Sequence, residues 1–184
     1  MLIVVAGCGA AAGDDADPKA PPPLLPLADG NRWVLRDVAG PSTATISVVR
    51  GPTGLVLRGV PGARALRVRS VGRAVQAWDP ASARWEPFLR LGAPVGTRYT
   101  VDLSGAPLWR SLTVTVASRS AVVHDARGRT LRSCVRLTFA SRKAIADAAI
   151  EELVFAPGVG FARIAEQTIA GTRVRELASL RLHS

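Results

Sequence analysis

The chain has 184 residues and a formal net charge of +10, from 24 basic and 14 acidic side chains, with two histidines and two cysteines. That length supports one domain with a real core and makes two folded domains the exception, and so few histidines and cysteines exclude a zinc site of the usual spacing. The charge is almost all arginine, placed singly with no basic run or aromatic stacking motif. This argues against nucleic acid and leaves either compositional bias or attraction to an anionic surface such as lipid headgroups or acidic polysaccharide.

In chain order, Met1 to Cys8 reads as the tail of a secretion signal. Val5-Ala6-Gly7-Cys8 resembles the bacterial lipobox, in which small side chains flank the cut and the cysteine is lipidated, so Cys8 is the expected lipidation site. Only seven residues precede Cys8 and none is positive, so residues 1–8 read as a truncated lipoprotein signal. Residues 9–26, with Asp14, Asp15, Asp17 and Pro21-Pro22-Pro23, carry little that can be buried and read as a disordered Pro-rich tether. The three aspartates lack the other ligands of a calcium loop and read as solubilising. By analogy with enteric bacteria, where Asp after the cysteine retains a lipoprotein at the inner membrane, Gly9 favours the outer membrane. No span is long and apolar enough to cross a bilayer as a helix.

Residues 27–184 read as a single β domain. Gly30-Asn31 turns into a strand around Trp33. Thr43 to Val49 alternates, with Ile46 and Val48 on one face, and Ala65 to Val71 sets Leu66 and Val68 against Arg67 and Arg69, so one face is wet. Ala74 to Trp78 is a further strand. Pro87 confines Trp85 to Leu91 to a sheet edge or to irregular structure. Leu112, Val114 and Val116 alternate with threonines, and Thr130 to Phe139 follows a polar turn, with Cys134 on the face opposite Val135, Leu137 and Phe139. Ala144 to Glu151 alone leans helical. Pro157-Gly158 then closes a hairpin, since proline presets φ at the second turn position and glycine supplies positive φ at the third. We expect this hairpin to close a sheet whose other end is the Trp33 strand, and the four tryptophans, Trp33, Trp78, Trp85 and Trp109, to supply much of the bulky core. Short strands with regular turn signals predict an all-β fold: a single strongly curved antiparallel sheet or half-barrel with at most one short helix.

Two stretches resemble motifs of a family of bacterial envelope lipoproteins, many of them uncharacterised. Pro26-Leu27-Ala28-Asp29-Gly30-Asn31-Arg32-Trp33-Val34-Leu35 is similar to its Pro-Leu-x-x-Gly-Asn-x-Trp-x-Tyr motif, with Leu35 in the place of tyrosine. Phe155-Ala156-Pro157-Gly158-Val159-Gly160 is similar to its aromatic-Ala-Pro-Gly-Val-Gly motif, and Cys134 matches a cysteine common in a late strand. The resemblance implies a curved antiparallel sheet like the half-barrels of lipoprotein carriers, and no reaction.

No constellation of titratable groups suggests an enzyme, a cofactor or a metal. His124 reads as a solvated strand end, His183 is penultimate, and adjacent Glu151 and Glu152 are expected to point to opposite faces. Cys8 and Cys134 sit in settings too different to pair. The expectation is a non-catalytic, lipid-anchored envelope lipoprotein that meets the membrane through its anchor. Either it binds a lipid or other apolar ligand in its curved sheet, or it is a structural and interaction module with a filled core that meets an envelope protein through its arginines or a sheet edge.

Overall fold

The computed structural model describes residues 21–141 and 148–183. Twelve strands form one antiparallel sheet: β1 (Arg32–Asp37), β2 (Thr43–Gly51), β3 (Gly54–Arg58), β4 (Ala65–Val71), β5 (Ala74–Asp79), β6 (Arg84–Leu89), β7 (Arg98–Val101), β8 (Leu112–His124), β9 (Thr130–Ser141), β10 (Ala148–Ala156), β11 (Gly160–Thr168) and β12 (Gly171–Arg181). A 3₁₀ turn, Pro107–Trp109, leads into β8. The strand order is β6-β5-β4-β3-β2-β1-β12-β11-β10-β9-β8-β7, so every neighbour is consecutive in sequence except β1 and β12. The sheet curls until it is nearly closed into a barrel, with β6 and β7 facing each other across a seam. The all-β, curved antiparallel sheet expected from the strand pattern is therefore present.

The Pro157-Gly158 hairpin joins β10 to β11, and Gly158 has the positive φ of 68° that its turn position requires. It lies inside the sheet and does not close it, because β12 separates it from β1. Of the one segment that leaned helical, Ala148 to Glu151 belongs to β10. The remainder lies outside the described residues. Long-range pairing with β11 outweighs a weak local preference there.

Inward side chains fill the barrel. Trp33, Leu35, Ile46, Leu57, Phe88, Trp109, Leu137, Phe155 and Phe161 are fully buried. Trp33 meets Phe161 edge-on with ring centres 5.5 Å apart, and Trp109 packs on Phe88 at 4.6 Å. Each such residue contributes about 1.5–3 kcal/mol through its burial. Trp78 and Trp85 are not among them. They stand half-buried on the outer face, next to arginines, because Val75 and Ala77 take the inward positions of β5. The expectation of a four-tryptophan core is corrected to two.

The seam is held by side chains. The Tyr99 hydroxyl accepts a hydrogen bond from the Arg90 amide at 3.0 Å and donates to the Phe88 carbonyl at 3.4 Å. Burial raises its pKa to about 12, so it stays a donor. Arg119 reaches over from β8 to the Leu91 and Ala93 carbonyls at 2.9 and 3.0 Å.

β8 and β9 are longer than their neighbours, and register shifts between Val116 and Val123 bend their far half out of the barrel. That half packs on the outward side chains of β10 and β11, forming a second core of Ala121, Val123, Cys134, Val154, Ala156 and Ala162. Cys134 and Val135 point to opposite faces, as the alternation predicts, and each is buried in a different core. The second core covers that opposite face, so Cys134 is a buried free thiol.

Candidate functional site

Asn31 and Trp33 organise one end of the barrel. Asn31 is fully buried: its Nδ2 donates to the Pro26 carbonyl at 2.9 Å, and its Oδ1 accepts from the His183 amide at 2.6 Å. The Trp33 indole N–H donates to the Val159 carbonyl at 2.6 Å and lies so close to Gly160 that a Cβ there would sit 2.6 Å from the indole nitrogen. The Gly158 amide donates to the Pro23 carbonyl at 3.0 Å. The two sequence motifs are thus one joint. It holds Pro21 to Leu27 across the mouth, where Leu24 and Leu25 are buried against the main core. These leucines fall within the segment read as tether, so the packed domain begins before Leu27.

Two apolar-sided clefts flank this segment, each about 220 Å³, one against Ser70, Arg73, Val75 and Leu91 and the other against Arg119, Val135 and Pro157. Both are smaller than the roughly 300–1,000 Å³ that small-molecule sites occupy. A larger groove, about 480 Å³, is polar and lies between the β1–β2 turn and Asp125.

The opposite end of the barrel is charged. Arg175 pairs with Glu166 and Arg173 with Asp37, at 3.2 Å for the second pair. Asp79 there accepts the Ser104 hydroxyl and the Ser82 amide. The Ser104 bond holds its carboxyl below the ordinary range, against the opposing effect of burial.

The outer surface divides into two halves of different chemistry. On β9 to β12, arginines alternate with acids: Glu152 bridges Arg136 and Arg163 at 3.2 and 3.4 Å, and Arg163 reaches Glu176 at 3.8 Å. On β3 to β6 the outward row runs Val56, Arg67, Trp78, Trp85. The Arg67 guanidinium carbon lies 4.9 Å from both indole centres, and Arg69 lies 4.4 Å over Trp85. The two indoles meet edge-on at 5.6 Å. Among the described residues no carboxylate pairs with Arg58, Arg67 or Arg69 on this face.

The remaining sequence candidates are dispersed. Cys8 and the aspartates at 14, 15 and 17 lie outside the described residues. His124 is exposed, with Nδ1 3.4 Å from the Thr130 hydroxyl, and the His183 ring packs near Gly30. A bulge at Glu151 lets it accept from Thr172 at 3.3 Å while Glu152 keeps its two arginines. Among the described residues no group of three or more His, Cys, Asp or Glu could hold a metal ion. Burial raises the Cys134 pKa. In a Cys8→Ser chain we expect Cys134 to react with a thiol reagent roughly a hundredfold more slowly than a free cysteine, recovering full reactivity in denaturant.

Asp125 caps the far tip of the β8–β9 hairpin. Its Oδ1 accepts the Arg127 and Arg129 amides, both at 2.9 Å, and its Oδ2 the Arg129 guanidinium at 2.6 Å. Burial alone would raise its pKa, but these bonds together lower it from 3.8. A depressed carboxylate contributes stability that is present above its unfolded pKa and lost as pH falls through the folded one. Asp125→Asn should therefore be less stable than the parent at neutral pH, with the gap closing below about pH 4. Thermal melts across that window check the sign.

The sequence signal for the Trp/Arg face was present in the alternation of β4 and β5, which sets Arg67, Arg69, Gln76 and Trp78 opposite Leu66, Val68, Val75 and Ala77. No family model matches the chain, and no curated protein matches it. Among solved structures, a crystal structure described as that of a candidate lipoprotein from Parabacteroides distasonis is similar, at 11% identity and a TM-score of 0.41, over 89% of this chain and 100% of that one.

Proposed function

We propose that the chain is a non-catalytic lipoprotein of the bacterial cell envelope, anchored through lipid on Cys8, whose β domain is an interaction module with a filled interior. The carrying observation is the packing: Trp33, Trp109, Phe88, Phe155 and Phe161 occupy the inside of the barrel at full burial, and Leu24 and Leu25 close its mouth. This favours the filled-core reading over an apolar ligand held in the concave face. The anchor rests on Val5-Ala6-Gly7-Cys8 and the segment that follows it, and Gly9 favours the outer membrane.

The test is the intact mass of the protein from membranes of its host, grown with and without globomycin, which blocks lipoprotein signal cleavage. A lipidated N-terminal Cys8 that disappears under the inhibitor supports the anchor. An unmodified chain in the soluble fraction overturns it. Native purification then addresses the filled core, which co-purifying lipid in stoichiometric amount would contradict.

A further inference from the structure

We propose that the outward face of β3 to β6, built on Arg67, Arg69, Trp78 and Trp85, seats on the anionic headgroup layer of the membrane. The proposal rests on the anchored reading above and names what the anchored domain touches.

The first ground is unbalanced charge. On the outer face of the β9–β12 half, Arg136 and Arg163 both meet Glu152, and Arg163 also reaches Glu176, while Arg132 and Arg181 have no carboxylate partner among the described residues. On the β3–β6 half, Arg84 meets Glu86 at 3.9 Å and Arg69 donates to the Gln76 side chain at 2.8 Å, but Arg58, Arg67 and Arg69 have no carboxylate partner among the described residues. The Arg67 Nε is buried without a hydrogen bond, as are those of Arg136, Arg163 and Arg175. Stacking against two indoles orients the Arg67 guanidinium but gives its N–H groups nothing to donate to. A layer of phosphate oxygens supplies both the acceptors and the opposite charge.

The second ground is the pairing of those cations with tryptophan. Trp78 and Trp85 are half-buried on an outward face at the sheet edge, beside Val56. An indole has an apolar body and one polar N–H, which suits the boundary between headgroups and acyl chains.

The third ground is where the chain enters. Pro21 lines a cleft with Ser70, Gly72, Arg73 and Ala74, at the turn of the β4–β5 hairpin that carries Arg67, Arg69 and Trp78. Twelve residues lie between Cys8 and Pro21 and can span at most about 45 Å. The seven residues of β4 run roughly 23 Å. A lipid on Cys8 therefore reaches the bilayer with this face turned down, and the tether raises the local concentration of the face at the membrane.

The test uses the full chain without acylation, so that its outcome is independent of whether Cys8 is lipidated in the host. Sedimentation with vesicles of phosphatidylglycerol and phosphatidylcholine should show salt-sensitive binding that pure phosphatidylcholine does not. Arg67→Gln with Arg69→Gln should weaken it about 25-fold, at about fivefold per arginine. Arg127→Gln with Arg132→Gln, an equal charge change on the exposed far half of the β8–β9 hairpin, should leave it unchanged. Near-UV circular dichroism confirms that each variant is folded. In the unsubstituted chain, brominated lipid should quench Trp78 and Trp85 and spare buried Trp33 and Trp109, a readout that needs no variant. Equal weakening by both arginine pairs, unquenched emission, or binding to an acidic polysaccharide or a protein with none to anionic vesicles would overturn the proposal.

Discussion

Gly160→Ala lowers stability by about 3 kcal/mol or more, and the melting temperature by roughly 6–12 °C. Two causes act together. Gly160 has φ 95°, where a side chain is strained, and its Cβ would sit 2.6 Å from the Trp33 indole nitrogen. The ring cannot give way, because it is fully buried, pinned to the Val159 carbonyl and packed edge-on against Phe161. Trp33→Ala alone should cost about 3–5 kcal/mol. The double variant separates the causes. With the indole gone the new methyl has space, and the second substitution should cost little beyond backbone strain, about 1 kcal/mol. Denaturant melts of the four chains give the coupling, and full additivity would mean that ring and glycine do not meet as described.

The second large effect contrasts two tryptophans that look alike in sequence. Trp109→Ala is expected to cost about 4 kcal/mol, and Trp85→Ala about 1 kcal/mol. Trp109 is fully buried between Phe88 and Phe139, and its N–H donates to the Pro61 carbonyl at 2.7 Å. Its removal leaves a cavity and an orphaned carbonyl. Trp85 loses one half-exposed ring contact with Trp78 and its arginines. Equal costs would contradict the assignment of Trp85 to the outer face.

The strands and their inward sides were largely legible, because period-two alternation is local and strong in β2, β4 and β8. Pro87 marked the edge strand β6 for a stated reason, the missing ladder donor. What failed was long-range or compositional. Trp78 and Trp85 were assigned inward by residue type, although the alternation of β5 pointed Trp78 out with Gln76. The second core depends on register shifts in β8–β9 that no local pattern announces. Leu24 and Leu25 follow a run of small, acidic and proline residues that carries little to bury, while their burial depends on a mouth assembled from β4, β5, β8, β9 and the β10–β11 turn. The two motifs were visible as motifs; that one supplies the ring and the other the space for it is a fact of three dimensions.

The strand order has a consequence for how the chain folds. Ten of its eleven ladders join strands that follow one another, so they can zip as hairpins at small entropic cost. The β1–β12 ladder pairs Arg32 with Arg181 and must close nearly the whole chain in one step. That step sits in the middle of the sheet, farthest from the seam. We therefore expect two meanders, β1 to β6 and β7 to β12, to form early and dock late, with their joining setting the folding rate. A permuted chain that links His183 to Asn31 and opens between Leu91 and Gly96 would turn this slow closure into one more local hairpin.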